Sequence, residues 1–168
     1  MRKLIPRLIV GLLSVSAIPA FAAEQPAIIK IPRLTLETAQ NIAKAALAEC
    51  RKLGIQIGVT VVDRGGHPVV VLRDTLAPDL TLEISRQKAY TAMSFNAATS
   101  SLEGRFTQPF SIGKVPGLLF VAGGVPIEAV GNIVGGVGVS GAPTGEQDEK
   151  CARAGFMAVQ FDLEGSEF

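Results

Sequence analysis

Apolar residues recur at helical spacing in two segments of the chain, and this pattern predicts two amphipathic helices. The first covers residues 36–53, with Thr35 as a favourable N-cap and Gly54 as a stop signal. The second covers residues 81–96 and has a weaker stripe, built partly of small residues such as Ala89. Because small side chains shorten the distance between packed elements, we expect this helix to lie very close to its neighbour.

Five short runs rich in β-branched residues predict strands. They are residues 55–62, 68–72, 118–122, 125–130 and 133–140. Asp-Arg-Gly-Gly-His joins the first two runs, and Gly-Gly and Gly-Asn separate the last three. Links this short make neighbouring strands antiparallel. The sequence therefore predicts an α+β fold with a five-stranded antiparallel sheet flanked by helices.

Glycine is unusually frequent in the last predicted strand. Gly135, Gly136 and Gly138 are costly there, and they predict a bulge or a close approach by backbone or ligand. Thr144 and Gln147 follow with the spacing of a capping box, which predicts a final helix.

The first residues have the three parts of a secretory signal peptide in the right order. A positively charged start precedes an apolar run at residues 8–18, and Ala20-Phe21-Ala22 supplies the small-x-small cleavage pattern. The run is shorter than the roughly 20 apolar residues of a membrane span. We expect cleavage after Ala22 and a periplasmic or secreted mature protein; the alternative is an uncleaved anchor.

The remaining chain divides simply. Residues 1–22 are the predicted signal, residues 23–34 an extended lead-in, and residues 35–168 a single domain. Removing the three basic residues of the signal from the sixteen Lys and Arg leaves thirteen against fifteen Asp and Glu, a net charge of −2. A body this close to neutral gives no electrostatic reason to expect nucleic acid or a membrane surface as a partner.

Cys50 and Cys151 are the two cysteines of the chain. In an oxidising compartment they have the option of forming a disulfide. The alternative is a pair of small buried side chains, which is common for free cysteine.

Three familiar motifs are incomplete. Residues 136–141 match Gly-x-Gly-x-x-Gly, but the chain ends after the next helix, so the second strand of a dinucleotide-binding unit is missing. A phosphate loop would need Gly-Lys-Ser/Thr, and residues 138–142 fall short of a hydrolase nucleophile elbow.

Few residues carry candidate chemistry. His67 is the one histidine and is placed at a hairpin turn, where it is a haem-ligand candidate or an exposed turn residue. Asp79 and Glu83 are four residues apart and are candidates for binding iron, or else partners of the helix dipole. The second predicted helix also contains Arg86, Lys88 and Tyr90. These residues form either a group that binds the carboxylates of a ligand or a solvated face.

Several motifs, in this order, resemble the GlcG/HbpS family of haem-binding proteins. They are Val61-Val62-Asp63-x-Gly65-Gly66-His67, Lys88-Ala89-x-Thr91-Ala92, Gly123-Gly124-Val125-Pro126-Ile127 and Gly136-x-Gly138-Val139-Ser140-Gly141. The resemblance covers about residues 34–160, and the same domain ends some corrinoid adenosyltransferases. Arg64 departs from the small residue usual in the family's Asp-x-Gly-Gly turn.

The resemblance implies an antiparallel sheet flanked by helices, a homo-oligomer and haem as cofactor, with iron as a further candidate and a sensor or transport protein as a further partner. His67 is then the expected iron ligand, and Tyr90, Met93 and Met157 are the alternatives. Arg64, Arg86 and Lys88 are the expected partners of the haem propionates. We expect an exported haem-binding protein for sensing, scavenging or storage; the alternatives are an enzyme that degrades haem or acts on a small metabolite, and a structural oligomer.

Overall fold

Four α-helices, four strands and two short 3-10 helices (Thr99–Leu102 and Ile112–Lys114) lie within residues 26–167, the part of the chain that the computed structural model describes. The helices are α1 (Leu36–Lys52), α2 (Leu80–Phe95), α3 (Gly145–Met157) and α4 (Gln160–Glu164). The strands are β1 (Gly58–Asp63), β2 (Pro68–Arg73), β3 (Gly124–Ala129) and β4 (Asn132–Ser140). The predicted signal peptide lies outside the described residues. Within residues 26–167, no helix has the length and apolar character of a membrane span.

The helix ends follow the local capping signals. The Thr35 hydroxyl accepts the N–H of Thr38 at 3.2 Å, and α1 ends just before Gly54, whose φ is +72°. At the start of α3 the Thr144 hydroxyl accepts the N–H of Gln147 at 3.4 Å. The Gln147 side-chain oxygen has no partner among the described residues, so only one half of the predicted capping box forms.

All neighbouring strands are antiparallel, and the order across the sheet is β2-β1-β4-β3. The α+β fold is therefore confirmed, but the prediction of five strands is wrong. Residues 118–122 form no strand. Their backbone is held by side chains instead, because the N–H of Leu119 donates to the Thr91 hydroxyl at 2.8 Å and that of Ala122 donates to the Glu103 carboxylate at 2.7 Å.

Helix α2 covers one face of the sheet, and α1 and α3 cover the other. Alternate residues of β4 point to opposite faces. Val137 and Val139 belong to the core shared with α1 and α3. Gly136 and Gly138 face α2, where a Cβ on Gly136 would lie 2.5 Å from the Ala89 carbonyl oxygen. The close approach expected at these glycines is thus made by the backbone of α2.

A disulfide joins the two helices of the opposite layer. The sulfurs of Cys50 in α1 and Cys151 in α3 are 2.08 Å apart, and both residues are fully buried. The bond therefore crosses the interior of the domain and not its surface.

Candidate functional site

The turn between β1 and β2 fixes the position of His67. One oxygen of Asp63, Oδ1, accepts the backbone N–H of Gly65 at 2.8 Å and that of His67 at 3.0 Å. Gly66 has a φ of +82°, which a side chain would strain. The aspartate therefore organises the turn that carries the histidine.

The imidazole of His67 is presented to solvent. Its side chain is 82% exposed, and Nδ1 lies 3.6 Å from Asp63 Oδ1. No hydrogen bond to either ring nitrogen is present within residues 26–167. Nε2 is therefore free to bind a metal ion. A metal-binding histidine usually donates its other ring N–H to a carboxylate, and here the Asp63 carboxylate lies close to Nδ1 without forming that hydrogen bond.

Asp63 is charged at neutral pH. Burial raises the pKa of its carboxyl, but the N–H groups of His67 and Gly65 and the guanidinium of Arg33 outweigh this and hold the pKa below its usual value. Arg33 Nη1 lies 3.2 Å from Oδ2, the oxygen that faces away from the imidazole contact. The anion beside His67 is therefore fixed by contacts at both of its oxygens.

Two side chains of α2 pack beneath the turn. A Cβ on Gly66 would lie 2.5 Å from the Tyr90 ring and 3.2 Å from the Met93 methyl carbon. Met93 is 4% exposed, and its sulfur accepts an N–H of Arg64 at 3.4 Å. The structure thus brings four predicted site residues together around one turn: His67, Arg64, Tyr90 and Met93.

Arg86 lies one helical turn before Tyr90 and is held by Glu83. Its Nε and Nη2 donate to the Glu83 carboxylate at 2.9 and 2.6 Å, and Glu83 raises the pKa of Arg86. The bonds from Arg86 and Gln87 lower the pKa of Glu83 to about 2. Arg86 is therefore at the edge of the site, already paired with a carboxylate.

Lys88 is buried, contrary to its expected role as a free cation. It is 3% exposed, and its Nζ lies 2.8 Å from Asp148 Oδ2 and 3.1 Å from the Val139 carbonyl oxygen. An ammonium already paired inside the domain does not reach a ligand at the surface. The expectation that Lys88 contacts a haem propionate is wrong for this structure.

The predicted iron site is not assembled either. Asp79 is exposed at the start of α2, and the carboxylate of Glu83 is occupied by Arg86 and Gln87. Within residues 26–167, no group of three or more His, Cys, Asp or Glu residues is placed to hold a metal ion. His67, Asp79 and Glu83 therefore do not form one metal centre.

Two open cavities lie away from His67. One, of about 720 Å³, is lined by Met157 together with Glu49, Lys150 and Arg153; the other, of about 440 Å³, lies between β3 and α4. Met157, an alternative iron ligand, is thus separate from the His67 site. The glycines of β4 are not open to a ligand either, because the backbone of α2 packs directly against Gly136 and Gly138. A flat ligand at His67 would therefore bind an open surface.

The comparisons with known proteins identify the family of this fold. The sequence model of the family described as "Haem degrading protein HbpS-like" matches residues 34–157, which include every element except α4. The chain belongs to the HbpS-like family. The match includes the whole His67 turn and begins one residue after Arg33.

Relatives of known structure share the fold. A crystal structure of HbpS is 43% identical, has a TM-score of 0.76, and the match covers 82% of this chain and 98% of HbpS. The "PduOC:Heme Complex" is 26% identical with a TM-score of 0.67, covering 76% of this chain and 95% of the other. Protein GlcG of Escherichia coli K12 is 35% identical over 109 residues, which is 64% of this chain and 81% of GlcG.

Arg33 is the site residue that the sequence alone did not indicate. It belongs to the predicted lead-in, thirty positions before Asp63, and no local motif links the two. The contact of Asp63 with His67 has a local signal, because an aspartate two residues before a Gly-Gly pair is typical of a side chain that closes its own turn. The sequence therefore indicated the residues that gather around the turn but not Arg33.

Proposed function

We propose that this HbpS-like chain is an exported haem-binding protein and that His67 is the iron ligand. The observation that carries the proposal is the His67 imidazole, which is 82% exposed with Nδ1 beside the Asp63 carboxylate. A single histidine is enough to tether haem iron. Bound haem would supply the redox chemistry of its iron, and the protein would supply the ligand and its surroundings.

The tautomer of His67 follows from its neighbour. A proton on Nδ1 is favoured because it faces the charged Asp63 oxygen at 3.6 Å. The lone pair then resides on Nε2, which is the nitrogen open to solvent. Asp63 thus favours the tautomer of His67 that can bind a metal through Nε2.

The surrounding side chains suit a flat, amphipathic group. Tyr90 is a partly buried aromatic side chain beneath the turn, and it packs against a small apolar cluster that contains the buried Met93. Arg64 is exposed at the turn, and its guanidinium, which donates one N–H to the Met93 sulfur, is a candidate partner for a propionate. Arg86 would have to share its contact with Glu83 to play the same part.

Family membership supports haem as the ligand. The family's description names haem, and the relative of the same fold that is 26% identical was solved as a "PduOC:Heme Complex". In this chain the role in sensing, scavenging or storage is a proposal, as are a homo-oligomeric state and a sensor or transport partner.

Export is part of the proposal and rests on the sequence. Residues 1–22 have the pattern of a cleaved signal, and the buried Cys50–Cys151 disulfide suits an oxidising compartment. N-terminal sequencing of protein from the native host tests it: a mature chain that begins at Ala23 supports export, and an intact Met1 contradicts it.

Titration with hemin tests the ligand. We expect the purified mature protein to give a sharp Soret band, His67→Ala to lose it, and added imidazole to restore it in that variant. Met157→Leu is the matched control, since it removes the ligand candidate of the separate cavity and should leave the band unchanged. A band that survives His67→Ala, or its absence from the wild-type protein, contradicts the proposal.

Haem degradation is a second candidate because the matched family is described as haem degrading. Adding ascorbate to the hemin complex in air separates the two functions. Loss of the Soret band with release of a bile pigment supports degradation, while a band that stays constant supports binding alone.

A further inference from the structure

The contact between Arg33 and Asp63 extends the candidate site into the lead-in segment. Asp63 uses Oδ1 for the turn and the imidazole, and uses Oδ2 for Arg33 Nη1 at 3.2 Å. The three groups therefore form a chain of contacts, guanidinium to carboxylate to imidazole. Asp63 lies between the other two, with its side chain only 14% exposed.

Arg33 contributes little to folding through this contact. Its side chain is 64% exposed, and ion pairs of that kind stabilise proteins only slightly because water and salt screen them. The charge on Asp63 affects the histidine as a metal ligand, because a carboxylate beside Nδ1 raises the electron-donating power of a ligating imidazole. A cation beside the far oxygen offsets part of the electrostatic effect of that charge.

We propose that Arg33 is a positioning residue that sets the redox balance of iron held by His67, acting through Asp63. This inference rests on the proposed haem-binding function. The Arg33 guanidinium offsets part of the negative charge that Asp63 places beside the imidazole, and this favours ferrous over ferric iron. Removing the guanidinium therefore favours the ferric state.

Variants of the two residues should shift the balance in opposite directions. We expect Arg33→Gln to raise the ratio of ferric to ferrous haem affinity by roughly two- to fivefold, which corresponds to a midpoint potential lower by about 20–40 mV. Asp63→Asn should lower the ratio, and Arg33→Lys, which keeps the charge, should stay closer to wild type. A purely structural role for Arg33 would not produce shifts of opposite sign.

The experiment is a spectroelectrochemical titration of the hemin complex for each variant. Lys52→Gln is the matched control, because it also removes one exposed cation paired with a carboxylate, on α1. The double variant Arg33→Gln/Asp63→Asn should equal Asp63→Asn alone if Arg33 acts through Asp63.

The outcomes separate this inference from the proposed function. Wild-type binding that depends on His67, with no difference in potential between wild type and Arg33→Gln, overturns the inference alone. A shift in Arg33→Gln that persists in the Asp63→Asn background also overturns it, because the cation then acts directly. Absence of His67-dependent haem binding overturns both.

Discussion

Lys88 Nζ lies 2.8 Å from Asp148 Oδ2, and the two side chains are 4% and 5% exposed. The pair ties α2 to the first turn of α3. Asp148 also accepts the N–H of Ala142 at 2.9 Å, so the loop before α3 is held by the same carboxylate. Burial raises the pKa of Asp148, and the hydrogen bond and charge of Lys88 oppose that rise.

Replacing one member of this pair should destabilise the domain strongly. Lys88→Met leaves the Asp148 carboxylate buried without its counter-ion, which we expect to cost about 3–5 kcal/mol of unfolding free energy. Since Asp148 then gains most by taking up a proton, the variant should recover stability as the pH falls and lose it as the pH rises. Urea denaturation at several pH values measures this.

Two further variants check the interpretation. Lys88→Met/Asp148→Asn should lose less stability than the two single changes added together, because neither charge is then left alone. Lys52→Met removes an exposed lysine and should change little. Additive losses in the double variant would show that the pair is not coupled.

The contact of β4 with α2 should be intolerant of any side chain at residue 138. A Cβ there would overlap the Ser85 carbonyl oxygen and lie 2.5 Å from the Ala89 nitrogen. We expect Gly138→Ala to cost at least the ~1–3 kcal/mol that is typical of an overpacked core. Gly165→Ala is the control, since its nearest neighbour is 3.5 Å away. Equal melting temperatures for the two variants would contradict this packing.

Sequence predicted the elements whose signals are local. Thr35 and Gly54 fix the ends of α1 from within a few residues, and the hairpin turn at Asp63 to His67 is likewise self-contained. Residues 118–122 have the composition of a strand, but Thr91 and Glu103 take their backbone N–H groups. Those partners are 28 and 19 positions away, so no local pattern reveals them.

The candidate site divides in the same way. The position of His67 at a hairpin turn could be predicted because consecutive residues form that turn. Lys88 was predicted to be free because its partner, Asp148, is 60 positions away. The partner of Asp63 in the lead-in, Arg33, could not be predicted for the same reason. The role of a charged residue can be assigned only when its partner in the folded structure is known.

The disulfide should contribute a large part of the domain's stability. Cys50 and Cys151 are 101 positions apart, and in the chain-entropy model closing a loop of that size stabilises the folded state by about 4–5 kcal/mol. We expect Cys50→Ala/Cys151→Ala to lower the melting temperature, and a phosphine reductant to lower it in the wild type but not in the variant. Sensitivity of the double variant to reductant would contradict this assignment.

The stabilisation that the Asp63 carboxylate gives to the folded protein should be lost at acid pH. The pKa of its carboxyl is lower in the folded protein than in the unfolded chain, because the N–H groups of His67 and Gly65 and the charge of Arg33 outweigh the effect of burial. A carboxyl with a lowered pKa stabilises the fold above its unfolded pKa, and that contribution is lost as the pH falls through the folded pKa.

Asp63→Asn isolates this contribution, because the amide oxygen can still accept the two N–H groups while the charge is gone. At neutral pH the wild-type protein should be the more stable of the two. The difference should begin to shrink at about pH 4, near the ordinary pKa of aspartate, and should approach zero at lower pH. Urea denaturation of both proteins between neutral and acid pH measures it. A difference that stays constant over that range would mean that the turn depends on the shape of the side chain and not on the charge beside His67.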